Sequence, residues 1–476
     1  MKIFLCCPPT GYFIRDERCQ IDVHSRIAEN IREPIQLLYL AGLLQKKGYE
    51  ILLNDYCFPS YSIDNVVNDC IRFKPDCVCI ETTQGTFKDD IKFINKLHTS
   101  FRDAYFILKS PFIDLNYLSD YIKYSHINSD IKIYFIVRDF EQTILNILKN
   151  YHTSNALDNV YLYLNGKIIP PESIGEKNIF DMDEYPIPPR NLLNKFNYVR
   201  PDTGDPIAYI YTSKGCPYDC IFCSAPIYLG RKVQTRSVMS VINEIEDCIK
   251  NYNIRNFFFR SDTFTIDKEW VMQFCKAILD RKLNIKWGTN SRTDTIDAEM
   301  LELMKSAGCD IIGLGIESGS DFILKNIKKN ICTDDVERVH KLIKKFGIKT
   351  FFHCIIGFPW DSRETINQTK KFLLQVKPDF VEVNVPYPLN GTELYELAER
   401  HNLFVSKEFE TFSHIKPILR TFSLSADEIE KLRKNILMSF YFRPGFIFEK
   451  FKYINKPKVF LNYTKWGYAL INKIFM

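Results

Sequence analysis

The sequence predicts an α/β protein: a doubly wound parallel sheet first, then a partial (β/α)6 barrel, then a helical C-terminal extension. Three observations carry that prediction. Short apolar runs alternate with helix-spaced segments along most of the chain. A proline-rich stretch, Tyr185-Pro186-Ile187-Pro188-Pro189, interrupts the alternation. The 476 residues also exceed what one hydrophobic core usually supports, so two domains and an appendage are expected.

Residues 2–7 form an apolar run, residues 34–47 have helical apolar spacing, and residues 49–54 read as a second strand. Residues 76–82 and 105–108 continue the series. This alternation specifies a Rossmann-like sheet, whose ligands sit beyond the carboxyl ends of its strands. Those ends are residues 8–11, Asp55, residues 82–85 and the Lys109-Ser110-Pro111 turn. Residues 161–169, centred on Asn165-Gly166, read as a hairpin, and the proline run follows as a linker. Six further strands are expected at 207–212, 256–260, 285–290, 310–316, 350–356 and 380–385, with helical patterns between them. Such a barrel places its chemistry at the C-terminal ends of its strands. The expected domains are therefore 1–150, a hairpin and linker at 151–200, the barrel at 201–400 and a helical cap at 401–476.

The cap ends in a basic, aromatic stretch. Lys450, Lys452, Lys456, Lys458, Lys465 and Lys473 alternate there with Phe446, Phe448, Phe451, Tyr453, Phe460 and Trp466. Such a tail is either a helical cap with solvated lysines or a peripheral contact with anionic lipid.

Composition is that of a folded soluble protein, 46% hydrophobic and 25% charged. The net charge of +5 is dispersed, with no block of like charges, so no nucleic-acid partner is expected. The chain has 15 cysteines, and its first residues lack the apolar core of a secretion signal. A cytoplasmic location is expected, with the thiols serving as buried hydrophobes or metal ligands. No apolar run approaches the roughly 20 residues needed to cross a bilayer.

The strongest chemical signal is Cys216-Pro217-Tyr218-Asp219-Cys220-Ile221-Phe222-Cys223, placed just after an expected strand and the turn Ser213-Lys214-Gly215. It gathers three thiols on one loop at the barrel mouth. An iron–sulfur cubane is commonly held by four thiolates; three leave one iron open, as a reactive metal site requires. Gly215 and Pro217 fix the turn. A structural zinc site would want two ligand pairs, and Cys248, Cys275 and His353 are scattered singles.

These residues resemble the radical S-adenosylmethionine (radical SAM) superfamily, whose signature is CxxxCxxC with an aromatic residue, here Phe222, before the last cysteine. The resemblance runs from about residue 207 to 394. It includes Arg260-Ser261-Asp262-Thr263-Phe264, residues 287–292, the segment from Gly313 to Gly319, Gly357-Phe358-Pro359 and Asn390-Gly391-Thr392. It implies a 4Fe-4S cluster on Cys216, Cys220 and Cys223, with S-adenosylmethionine chelating the fourth iron. An electron donor such as flavodoxin or ferredoxin then drives cleavage to methionine and a 5′-deoxyadenosyl radical. By the same resemblance Ser261, Asp262 and Thr263 contact the methionine amino group, Arg292 pairs with its carboxylate, Glu317 binds the ribose, and Ile356 and Gly357 line the adenine. Each has a structural alternative: a helix cap for Asp262 and for Glu317, a salt bridge for Arg292, main-chain packing at 356–357.

The N-terminal half is similar to the cobalamin-binding domain fused to one branch of this superfamily. The similarity rests on Pro8-Pro9, residues 12–20 with Arg15-Asp16-Glu17-Arg18-Cys19, the helix at 34–48, Asp55 and the linker at 181–190. It departs from that pattern at three points. There is no DxHxxG, Lys109-Ser110 replaces a glycine pair, and Arg138-Asp139-Phe140-Glu141 replaces an acidic, glycine-rich turn. The function implied is hydrogen abstraction from an unactivated carbon, with methyl transfer through cobalamin. The alternatives are cobalamin-independent radical coupling, cyclisation or rearrangement, and a non-catalytic iron–sulfur or corrinoid sensor. The substrate expected is a small molecule or a lipid: the open side of a partial barrel admits bulky molecules, the basic aromatic tail suits a lipid or isoprenoid, and peptide, sugar and tetrapyrrole substrates are equally open.

Overall fold

A computed structural model describes residues 1–15, 21–22, 31–109, 115–152, 155–175, 180–406, 415–451 and, beyond 458, residues 459–462, 464, 465, 467, 468 and 471. The chain divides into two units, one holding Met1–Asp22 and Ile31–Asn194, the other the described residues from Lys195 onward.

In the first unit, β1 (Lys2–Cys7), β2 (Glu50–Asp55), β3 (Cys77–Glu81), β4 (Tyr105–Lys109), β5 (Ile133–Ile136), β6 (Val160–Leu164) and β7 (Lys167–Ile169) form one sheet in the order 2-1-3-4-5-6-7. The first five are parallel and the last two antiparallel. Parallel strands need crossover helices, and α1 (Ile35–Lys46), α2 (Ile63–Phe73), α3 (Phe87–Ser100), α4 (Leu115–Ser125) and α5 (Phe140–Asn150) supply them. β3 and β5 are buried at every residue, which is why they read as unbroken apolar runs. α2 starts on a capping box between Ser62 and Asn65. The hairpin turns at Asn165 and Gly166, both with positive φ (50° and 73°), as a two-residue primed turn requires. It extends the sheet at the β5 edge.

Beneath the exits of β1 and β3 lies a buried ion pair. Arg15 donates through Nη1 and Nη2 to both oxygens of Asp90, at 2.7 and 3.0 Å, and to the carbonyl of Glu81 at 2.8 Å. Asp90 also accepts from the hydroxyls of Thr10, Thr82 and Thr86.

The second unit is built on six parallel strands in sequential order: β8 (Ile207–Tyr211), β9 (Asn256–Arg260), β10 (Lys286–Ser291), β11 (Cys309–Glu317), β12 (Lys349–Ile355) and β13 (Phe380–Asn384). The long helices between them are α6 (Val238–Tyr252), α7 (Lys268–Asp280), α8 (Ala298–Ser306), α10 (Thr333–Lys345) and α11 (Arg363–Val376), with the short α9 (Asp321–Asn326) after β11. This is the open (β/α)6 arrangement the sequence predicts. One face of each strand packs into an apolar core that includes Ile210, Phe259, Trp287, Leu314, Phe352 and Val383. At the N-terminal end, Arg200 binds Asp202 at 3.0 Å and Asp310 at 2.8 Å.

After α12 (Glu393–Arg400) the extension contributes α13 (Ala426–Tyr441) and α14 (Pro444–Phe451). α13 opens on a Ser425–Glu428 capping box, and its last residue guards the sheet edge. The Tyr441 hydroxyl accepts the Val381 N–H at 3.0 Å and donates to the Val381 carbonyl at 2.5 Å, pairing backbone groups that an edge strand would leave open. Tyr441→Phe strands both groups and is expected to cost about 1–3 kcal/mol, measurable as a lower urea midpoint. The tail's Phe446 belongs to the barrel core, whereas Phe448 is 72% exposed. The lysines and aromatics at 452–458 lie outside the described residues. No described helix is long and apolar enough to cross a membrane.

Candidate cofactor site

The loop bearing Cys216, Cys220 and Cys223 leaves β8 and is pinned at several points. Ser213–Lys214 pairs with Gln234–Thr235, the Cys216 N–H bonds the Gly230 carbonyl at 3.1 Å, and Ile221 exchanges backbone bonds with Ile327 and Leu394. Gly215 has φ +97°, and a Cβ there would stand 2.3 Å from the Lys232 carbonyl oxygen. Gly215→Ala therefore forces the loop to move, and bound iron is expected to fall at least twofold after reconstitution, measured by metal analysis of the folded variant.

All three thiols are half-buried on this one loop. Three such thiolates suit a cubane cluster, each binding a separate iron atom. The Phe222 ring packs at 5.4 Å, tilted by 49°, against that of Phe358, tying the loop to the exit of β12.

Ser261, Asp262 and Thr263 follow β9 and are all buried. Ser261 shares a hydrogen bond with Ser213 at 2.6 Å, and Asp262 accepts the Gly215 N–H at 2.9 Å. Asp262 is not the cap of the next helix; Asp267 is, accepting from the Trp270 N–H at 3.0 Å. Two of the three residues thus hold the cysteine loop. The third, Thr263, buries a hydroxyl oxygen that has no partner.

Arg292 follows β10. Its Nε and Nη2 both donate to Asp294 at 2.9 Å, and Nη2 also reaches the Lys329 carbonyl at 2.7 Å. The salt-bridge alternative is the one this geometry displays, and the fork expected for a methionine carboxylate is already engaged. The guanidinium also lies 3.6 Å over the ring of Tyr218, between two of the cysteines.

Glu317 ends β11 with φ +60°, a conformation that a side chain rarely adopts. Its carboxylate meets Lys329 Nζ at 2.7 Å, both side chains being more than 90% buried. The pair folds over Gly315, where a Cβ would lie 2.7 Å from Glu317 Oε1. Gly357 (φ +97°) donates its N–H to Asp361 at 2.9 Å, and burial pushes that carboxyl up to about 6. Ile356 takes the packing alternative with its side chain. It follows the core face of β12 and sits 1% exposed in the apolar core, so Ile355, one residue earlier, takes the half-exposed inner position.

The inner wall is polar where a closed barrel is packed with branched apolar side chains. Asn290 and His353 converge over Gly313: a Cβ there would lie 2.2 Å from Asn290 Oδ1 and 3.0 Å from His353 Nε2. His353 Nδ1 is 3.3 Å from Glu382, and its Nε2 is buried without a partner. Ser224 Oγ, Thr293 Oγ1 and Asn390 Nδ2, beyond the ends of β8, β10 and β13, are likewise buried and unpartnered. Buried polar atoms are rarely left so in a native protein. Around the strand ends they fit a bound polar cofactor such as S-adenosylmethionine.

The family model described as the radical SAM superfamily matches residues 210–373, which span the cysteine loop and β9 to β12. Those residues form a radical SAM domain. It is 28% identical to an uncharacterized methyltransferase of Pyrococcus horikoshii, over 93% of each chain. It is 25% identical to an anaerobic magnesium-protoporphyrin IX monomethyl ester cyclase of Rubrivivax gelatinosus, over 83% of this chain and 71% of the relative. The structure of the cobalamin-dependent S-adenosylmethionine radical enzyme OxsB superposes with a TM-score of 0.73 at 14% identity, covering all of this chain and 72% of that one. The likeness in fold to OxsB therefore covers both units.

Four residues of the candidate site escape a sequence reading as site residues. Lys329 is 12 residues from Glu317, and Asp294, His353 and Glu382 stand in ordinary helix or strand contexts. Only the inward phase of β12 and β13, had it been assigned, would have singled out the last two.

Proposed function

We propose that this radical SAM enzyme methylates an unactivated carbon of a small molecule through cobalamin, with its cluster on Cys216, Cys220 and Cys223. The observation that carries this reading is the pairing, in one chain, of a three-thiol loop at a barrel mouth with a doubly wound sheet that has a topological switch point. In the 2-1-3-4-5 order the topological switch point lies between β1 and β3, where ligands of such sheets bind. Gly11, just past β1, has φ +133° and no atom of the described residues within 4 Å of where a Cβ would start, so a flat ligand can approach its backbone. Lys109, one departure from the cobalamin pattern, has its ammonium bonded to Gln36 and over the Phe140 ring, engaged within the unit. These residues fit a corrin.

The cluster with S-adenosylmethionine supplies reductive cleavage to a carbon radical, and cobalamin supplies a methyl carrier. The chain's own residues bind and orient. Asp262 and Ser261 fix the loop through Gly215 and Ser213, Arg292 holds Tyr218 beside the thiols, and Thr263 offers its hydroxyl to the cofactor's amino group. The Glu317 carboxylate, which can accept several hydrogen bonds, retains capacity for ribose hydroxyls beside Lys329. Asn290 and His353 offer polar contacts inside the barrel. A reductant such as flavodoxin or ferredoxin supplies the electron.

The Rubrivivax relative, a cyclase, supports ring closure as a second reading. Exposed Phe448, Phe460 and Tyr468 support a lipid among the candidate substrates. Anaerobic reconstitution with iron, sulfide and hydroxocobalamin separates the readings. One equivalent of corrin retained through gel filtration, with 5′-deoxyadenosine formed on reduction, is expected. Product without corrin would transfer the assignment to the cobalamin-independent reaction.

A further inference from the structure

The first unit holds a second thiol site, distant in sequence from the cysteine loop. Cys7 is the last residue of β1 and Asp55 the last of β2, and the two are register partners on adjacent parallel strands. Register partners project from the same face of a sheet, so the backbone itself brings this thiol and this carboxylate together. Cys57, two residues on, turns back: its N–H donates to Asp55 Oδ1 at 3.0 Å and its Sγ lies 3.8 Å from the Pro8 carbonyl. One ligand atom from each of Cys7, Asp55 and Cys57 lies within 4.8 Å of the others, and all three residues are buried.

We propose that Cys7, Asp55 and Cys57 bind one thiophilic divalent cation of the zinc class. Three arguments carry it. A tetrahedral ion with Zn–S of about 2.3 Å and Zn–O of about 2.0 Å spaces its ligands roughly 3.5–3.8 Å apart, within reach of this group by side-chain adjustment alone. Two thiolates and one carboxylate are a donor set that zinc takes and that magnesium or calcium does not. Binding also exchanges one M²⁺ for two thiol protons, so the net charge of the buried site does not change. Three protein ligands leave the fourth position open. The ion clamps the turns leaving β1 and β2. The site does not depend on the chemistry at Cys216, Cys220 and Cys223.

The test is titration of the anaerobically reconstituted, cluster-loaded full chain with Cd²⁺, reading the thiolate-to-cadmium ultraviolet band and counting cadmium and iron in the same desalted sample. One equivalent of cadmium with iron unchanged is expected. Cys57→Ser, which alters a loop residue and spares β1, should weaken binding at least tenfold, and Cys7→Ala should do the same. Asp55→Asn should weaken it while keeping the band, and the buried control Cys79→Ala should bind as the parent does. The proposal is overturned if cadmium binds only as iron is lost, if the equivalent survives in both Cys57→Ser and Cys7→Ala, or if the parent binds none. A Cys7–Cys57 disulfide found by thiol mapping of the anaerobic protein would overturn it as well.

Discussion

Arg15→Met is expected to destabilise the protein by about 3–5 kcal/mol, because it leaves the Asp90 carboxylate buried without its cation. Both side chains are essentially inaccessible, at 1% and 0% exposure, so water cannot take the place of the guanidinium. Three threonine hydroxyls remain on Asp90, from Thr10, Thr82 and Thr86, and hydroxyl donors do not neutralise a charge. At roughly 2–4 °C per kcal/mol for a unit of this size, the thermal midpoint should drop by about 10 °C. Adding Asp90→Leu to Arg15→Met should restore much of the loss, since removing both partners removes the uncompensated charge. A drop within about 1 kcal/mol for the single variant would mean that solvent reaches Asp90.

Lys329→Met should have a comparable effect on the barrel, again about 3–5 kcal/mol, for the same reason at Glu317. Here the loss also reaches the site. Glu317 already sits at φ +60°, and Lys329 holds its carboxylate over Gly315 at the exit of β11. Without the ammonium the strained residue has less to hold it, so S-adenosylmethionine affinity should fall by more than stability at the assay temperature explains. Glu317→Gln in the Lys329→Met background should recover stability and leave affinity low. Recovery of both would reduce the pair to a purely structural one.

The parts of this molecule that follow from local periodicity are legible in the sequence. β1 to β5, β8, β9 and β11 to β13 contain short apolar runs between helix-spaced segments, and Asn165-Gly166 announces its hairpin by turn chemistry alone. The cysteine loop is legible because its spacing lies within eight residues. What sequence hides is partnership across long separations. Arg15 and Asp90 meet 75 residues apart, and Asp262 turns out to hold Gly215 across 47 residues instead of capping its own helix. Arg292 looks like a free fork until Asp294, two residues on, is seen to occupy it. The side chain of Ile356 turns into the core because β12 alternates, and a strand's last residues reveal their face only when the register with β11 and β13 is known.

The central claim is that the three thiols of one loop make this chain a radical SAM enzyme, and product formation tests it most directly. The reconstituted, dithionite-reduced protein is incubated with S-adenosylmethionine, and 5′-deoxyadenosine is measured against a Cys216→Ala, Cys220→Ala, Cys223→Ala triple variant of matched fold. The account predicts 5′-deoxyadenosine from the parent and none above background from the variant. Equal product from both, or a parent that binds a cluster and yields none, would contradict it.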